Sequence, residues 1–191
     1  MAQLIIGLGN RGGEYANTRH NVGWMCLDEL EHRGKFGRER REGPAKIRDG
    51  NVEGFDIITA RPQTYMNLSG HAGVHLTNRL GTPPPDVIVV YDEADLPLGR
   101  LRLRRGGTAG GHRGVQSLID SWRLQDFIRV RIGIGRPHGE GDLIEHVLDR
   151  FDPGEREVVR TAVSRAADAV IAIIRDGLEV AMTQFNRAAA G

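Results

Sequence analysis

The sequence predicts an α/β fold: a single three-layer domain over residues 1–191, with a twisted mixed β-sheet and helices on both faces. Three observations carry this expectation. Apolar runs that read as strands alternate with segments whose apolar residues recur at helical spacing. The chain has 191 residues, enough for one domain with a proper core. No internal repeat, low-complexity tract or interdomain linker divides it.

The first strand is Gln3–Leu8, where Leu4-Ile5-Ile6 runs into a glycine-rich turn. Asn21–His32 follows as a helix, with Val22, Met25, Cys26 and Leu30 at helical spacing. Ala45–Arg48 is a weak strand signal and Phe55–Ala60 a further strand. Asn67–Leu80 reads as a second helix, weakened by its glycines. Pro83-Pro84-Pro85 is a stiff connector into the strand Val87–Tyr91. Arg100–Arg104 alternates polar and apolar residues, as an exposed or antiparallel strand does, so the sheet is expected to be mixed. His112–Trp122 is a third helix, entered through Gly110-Gly111, and Arg129–Ile134 the last strand. Pro153 suits a first helical turn. Behind it Val158, Val159, Ala162, Val163, Ala166, Val170, Ile173 and Ile174 keep helical spacing. Asp176-Gly177 breaks that helix, and Leu178–Arg187 is a short last one.

Apolar residues make up 39% of the chain, so it should fold without staples. No apolar run reaches the roughly 20 residues of a membrane span. The N-terminus lacks a basic stretch followed by an apolar one, the mark of a signal peptide. A cytoplasmic, membrane-free protein is expected. Cys26 is the one cysteine and reads as a buried, inert thiol. The net charge of +1 argues against a polycation, but the arginines are unevenly placed. Arg100, Arg102 and Arg104 share one strand face, where a polyanion would offset their mutual repulsion. A second basic run, Lys35 to Arg48, is diluted by Glu39, Glu42 and Asp49 and reads first as a solvated face. Arg129 and Arg131 also share a face, toward a phosphate or toward an acid.

Several chemistries lack their motifs. There is no Gly-x-Ser-x-Gly elbow and no Walker loop. His71 and His75 are spaced i, i+4 but have no obvious third ligand, so no metal is expected. Gly7 to Gly12 contains G-x-G-x-x-G, a weak dinucleotide signal. Its acidic ribose partner could only be Asp28 or Glu29, inside a predicted helix.

What remains is a set of polar groups at strand ends, where α/β proteins bind ligands. Asn10 and His20 follow the first strand, Asn67 follows the strand ending near Ala60, and Asp92 directly follows Tyr91. Each could be a turn residue or a cap. If the strands are neighbours, all four converge on one rim. Together they suit water-activating hydrolysis. An imidazole takes a proton from water, and a carboxylate on its other nitrogen fixes the tautomer. Carboxamides bind a carbonyl oxygen as it gains charge.

In these segments the chain closely resembles the bacterial peptidyl-tRNA hydrolase family, which cleaves the ester between a peptide and the terminal ribose of tRNA. The resemblance covers nearly the whole length. It is carried by Gly7-Leu8-Gly9-Asn10, Thr18-Arg19-His20-Asn21, Thr64 to Gly70, Asp92 to Pro97, Gly110-Gly111-His112 and Arg131 to Pro137. It implies that His20 is the general base, that Asp92 supports it, and that Asn10 tells peptidyl-tRNA from aminoacyl-tRNA. It implies that Asn67 binds substrate near the 3′ end and that Tyr15 and Tyr65 contact it nearby. It also implies a metal-free, cofactor-free reaction.

Two positions depart from the family pattern. Arg11 stands where proline is usual, and Arg113 where many members have asparagine. Arg113 can still donate hydrogen bonds and adds a charge suited to phosphate, but it has no acceptor. For the acceptor-stem phosphates the expected contacts are Arg104, Arg105 and Arg113. A monomer is the default. The expected function is hydrolysis of peptidyl-tRNA, releasing tRNA and peptide for recycling. A non-catalytic RNA-binding relative is the alternative, although His20, Asp92 and Asn10 are all present. A third reading is an esterase for small N-acylated amino-acid esters.

Overall fold

The computed structural model describes residues 1–139 and 141–187. Its core is a mixed sheet of eight strands: β1 (Gln3–Gly7), β2 (Lys35–Phe36), β3 (Arg40–Glu42), β4 (Ala45–Val52), β5 (Phe55–Pro62), β6 (Ile88–Glu93), β7 (Leu101–Arg105) and β8 (Ile128–Gly133). The order is β2-β4-β5-β1-β6-β8-β7, with β3 also on β4. β5, β1, β6 and β8 are parallel, whereas β4 and β7 run against their neighbours. The sheet is mixed, as the alternation in β7 predicts.

Among the described residues six α-helices cover it: α1 (Val22–Arg33), α2 (Ser69–Leu80), α3 (Arg113–Trp122), α4 (Leu143–Leu148), α5 (Arg156–Asp176) and α6 (Leu178–Phe185). One apolar cluster joins Cys26, Leu27 and Leu30 of α1 to Ala166, Val170 and Ile173 of α5 and Phe185 of α6. The opposite face packs Ala72 and Leu76 of α2 with Val115 and Leu118 of α3. Helices thus lie on both faces. Cys26 is fully buried, which pushes its thiol up to about 12 and keeps it protonated.

Some expected boundaries move. β6 runs on to Glu93, because its parallel register with β8 continues through Asp92 opposite Ile132. Asp92 is therefore inside the strand, not after it. β4 reaches Val52 because Asp49, Gly50 and Asn51 pair along β5 despite poor strand propensity. The basic run from Lys35 to Arg48 forms the edge of β2, β3 and β4, with Arg40 paired to Asp49 and Lys46 to Glu39. α2 and α5 each begin one short 3₁₀ turn later than the spacing suggests, after Met66–Leu68 and Pro153–Glu155. β2, β3 and α4 were not expected from the sequence.

One close approach sets the height of α1 over the sheet. A Cβ on Gly23 would lie 2.4 Å from the Val90 carbonyl and 2.9 Å from that of Leu8. Only hydrogen fits, so α1 starts directly against β1 and β6, the two strands that carry the polar residues.

Candidate active site

β1 and β6 are neighbours, so the turn after β1 and the end of β6 share one rim. The chain leaves β1 toward β5 on one side and returns through α2 to β6 on the other. Such a reversal leaves a crevice at the strands' carboxyl ends.

The glycine-rich turn is held rigidly. Trp24 Nε1 donates to the Gly7 carbonyl at 2.9 Å. A Cβ on Gly9 would meet the Trp24 ring at 2.8 Å. Asn21, fully buried, clamps Asn10 by its backbone. Its Oδ1 accepts from Asn10 N at 2.8 Å, and its Nδ2 donates to the Asn10 carbonyl at 2.9 Å. Both backbone groups of Asn10 are thereby used.

His20 sits in a 3₁₀ turn, Arg19–Asn21, that leads into α1. Arg19 anchors that turn from behind, donating to Glu155 at 3.0 Å and to the His146 carbonyl at 3.2 Å. His20 Nδ1 lies 2.8 Å from Asp92 Oδ2. The other carboxylate oxygen, Oδ1, lies 2.8 Å from His112 Nε2. Asp92 is 3% exposed, so its charge is cut off from water. Burial works against that charge most strongly. The two imidazoles overrule it by charge and hydrogen bonding, holding the carboxyl well below the usual carboxylate range.

The protons can be placed from this network. His112 is the N-cap of α3, and its Nδ1 accepts from the Gly114 and Val115 amides at 3.2 and 3.3 Å. Nδ1 therefore carries a lone pair, and Nε2 carries the hydrogen that points at Asp92. The carboxylate has no hydrogen to give, so His20 Nδ1–H must also donate to it. That leaves the lone pair of His20 on Nε2. The two rings lie 5.0 Å apart, centre to centre.

These groups border a cavity of about 670 Å³. Asn10, Tyr15, His20, Tyr65, Asn67, Asp92 and Arg113 all line it. Seven of the nine residues singled out in the sequence are thus brought together. Tyr65 is largely exposed at the mouth, and Asn67 lies in the 3₁₀ turn Met66–Leu68. Arg113 opens α3, exposed and without an ion pair among the described residues.

Arg104 and Arg105 do not line the cavity. They end β7, which runs antiparallel to β8, so Arg105 lies opposite Ile128 at the far end of the sheet. Arg105 points to the other face from Arg104, donating to the Pro85 carbonyl at 2.8 Å and pairing with Asp126 at 3.2 Å. Of the other arginine pair, Arg131 lies 3.7 Å from Glu93, whereas Arg129 donates to the Thr108 and Gly107 carbonyls and pairs with no carboxylate among the described residues.

Three contributors are not evident from the sequence. His112, in Gly110-Gly111-His112, reads there only as the entry to a helix. Asn21 likewise looked like a helix start. α4 forms a wall of the cavity through Leu143, Ile144, Val147 and Leu148. Its signal was present: Asp142, which caps Ile144 at 2.9 Å, precedes two apolar pairs four residues apart.

Among the described residues, His20, Asp92 and His112 form the one group whose donor atoms lie close enough to hold a metal ion. Both carboxylate oxygens and one nitrogen of each ring are already engaged in the hydrogen bonds described above. An ion held by all three would have to break both 2.8 Å contacts. His75 of the His71–His75 pair turns to Glu42 at 2.9 Å.

The chain matches the family model described as peptidyl-tRNA hydrolase over residues 4–190. It is 47% identical over 183 residues to the peptidyl-tRNA hydrolase of Caldanaerobacter subterraneus, covering 96% of this chain and 98% of that one. It is 44% identical over 187 residues to that of Dehalococcoides mccartyi, covering 96% and 99%. The crystal structure of the Acinetobacter baumannii peptidyl-tRNA hydrolase superposes with a TM-score of 0.90 at 33% identity, over 97% of this chain and 94% of that one.

Proposed function

The chain belongs to the peptidyl-tRNA hydrolase family and hydrolyses the ester of peptidyl-tRNA, and from this premise we propose how its own residues do so. His20 Nε2 takes a proton from a water that attacks the ester carbonyl. Asp92 holds His20 in that tautomer and stabilises the imidazolium as it forms. His112 donates to the same carboxylate and fixes its orientation. The carboxamides of Asn10 and Asn67 face the acyl group, where an N–H can bind the carbonyl oxygen as it gains charge. The imidazolium then returns the proton to the departing ribose oxygen. The observation that carries this reading is the single buried carboxylate shared by two histidines at 2.8 Å each.

The substrate side follows from the rim. Tyr65 and Tyr15 offer aromatic faces for the terminal base or ribose. Asn10 discriminates by favouring the neutral amide of a blocked amino acid over a charged ammonium. Arg113 meets the phosphates near the 3′ end, with Arg104 and Arg105 further out along the acceptor stem. The protein works in this reading as a single domain over 1–191 and as a monomer. It is a cytoplasmic carboxylic ester hydrolase without metal or cofactor, returning tRNA and peptide for reuse. None of the described helices is long and apolar enough to cross a membrane.

The test compares an N-acetylated aminoacyl-tRNA with the same aminoacyl-tRNA left unblocked. Release of the N-acetylamino acid from the blocked substrate, with none of the free amino acid from the unblocked one, is expected. Equal release from both would remove the discriminating role of Asn10, and binding without release would make this an RNA-binding relative.

The outer arginines give a second expectation. Neutralising Arg104 should weaken tRNA binding at low salt and flatten the slope of log K against log salt by about 0.7–0.9 per lost phosphate contact. Neutralising Arg105 should do less, because Asp126 already holds it. Unchanged salt slopes in both variants would move the phosphate-binding surface elsewhere.

A further inference from the structure

The connection from β7 to α3, residues 106–112, forms no helix or strand. Gly106, Gly107, Gly110 and Gly111 all adopt positive φ, between 57° and 104°. Fixing such a segment costs more backbone entropy than fixing any other composition. Yet it ends at His112, whose ring must meet Asp92 at 2.8 Å. The loop's first amide, Gly106 N, donates to the Phe127 carbonyl at 3.1 Å, and His112 N donates to the Ala109 carbonyl at 3.0 Å. Its middle is held by Arg129 of β8. That side chain is 1% exposed. Nη1 donates to the Thr108 carbonyl at 2.6 Å, and Nη2 donates to the Gly107 and Gln125 carbonyls at 2.6 and 3.1 Å. The guanidinium carbon lies 4.3 Å from the centre of the Phe127 ring.

No carboxylate pairs with this cation among the described residues; the Tyr91 hydroxyl lies beside it, and its cationic neighbours are Arg104 and Arg131. A buried charge without a counter-ion costs stability, and an apolar side chain of similar volume would serve the core better. An apolar side chain could not donate to two successive carbonyls of a glycine loop, which a planar fork of N–H groups does. We infer that Arg129 is a positioning residue for the reaction, acting through the Gly107 and Thr108 carbonyls to keep His112 on Asp92.

This rests on the reading of His112 as a donor to Asp92, and one experiment separates the two. Steady-state hydrolysis of an N-acetylated aminoacyl-tRNA is measured for the full chain, R129M, H112A and the double variant. R129M is expected to lower kcat about 10- to 100-fold with KM little changed. Added to H112A, the same change should cost less than about threefold, because the group it positions is gone. R129K, which keeps the charge and part of the donation, should recover some of the loss. Equal losses in both backgrounds would overturn the inference and make Arg129 a residue of the general fold. Unchanged kcat in a folded R129M would overturn it too. Full activity in H112A would instead sink the reading of His112, and with it this inference. Should R129M fail to fold, the same cycle with R129K, and with F127L, which removes the ring but keeps the guanidinium, decides by the same additivity.

Discussion

Replacing His20 by alanine is expected to lower kcat by about two to four orders of magnitude, the range of a lost general base. KM for peptidyl-tRNA should change little. The side chain is half-buried on a turn held from behind by Arg19 and from the front by the Asn21–Asn10 clamp, so the rest of the cavity should keep its shape. The decisive measurement is single-turnover release from an N-acetylated aminoacyl-tRNA, beside a binding measurement on the same tRNA. Retained turnover would assign water activation to another group. Lost binding would mean that His20 shapes the tRNA site as well.

Asp92→Asn should cost about two to three orders of magnitude, somewhat less than His20→Ala, and the reason can be followed proton by proton. Asparagine offers one oxygen and one NH₂ where the carboxylate offers two oxygens. His112 can only donate, because its Nδ1 is committed to the first turn of α3. The oxygen must therefore face His112, and the NH₂ must face His20. His20 then has to present a lone pair at Nδ1, which moves its hydrogen to Nε2, the atom meant to accept from water. The base is present but in the wrong tautomer. Wild-type kinetics in this variant would remove Asp92 from the mechanism.

The same substitution carries a pH signature in stability. The folded carboxyl titrates below its ordinary value of about 3.9, so its contribution is complete above that value. It is lost as pH falls through the lower, folded value. The Tm difference between the wild type and Asp92→Asn should therefore change most steeply below about pH 4. A difference that drifts across the neutral range would mean that another group titrates with folding.

What the sequence revealed follows from how local each cause is. The spacing along Val158 to Ile174 and the apolar runs of β1 and β6 are properties of single segments, and α5 and both strands form there with only their ends displaced by a few residues. β2 and β3 are two and three residues long and mostly charged, and they are strands only because β4 offers them partners. The convergence of Asn10, His20, Asn67 and Asp92 was legible because strand ends in this fold share a rim. The parts of His112 and Asn21 were not. Each depends on where a neighbour's backbone falls: the open amides of α3 for one, both polar groups of Asn10 for the other. Arg104 and Arg105 look equivalent in sequence, yet strand alternation and Asp126 set them apart.

His112 serves two masters: it closes the first turn of a helix and steadies the carboxylate of Asp92, on which the proposed mechanism depends. Loosening that turn would release the ring long before the sheet lets go. Turnover in this protein is thus a gauge of one local joint. On heating, activity should fade while the spectroscopic signature of the fold still reads as native, and it should return on cooling without any refolding step.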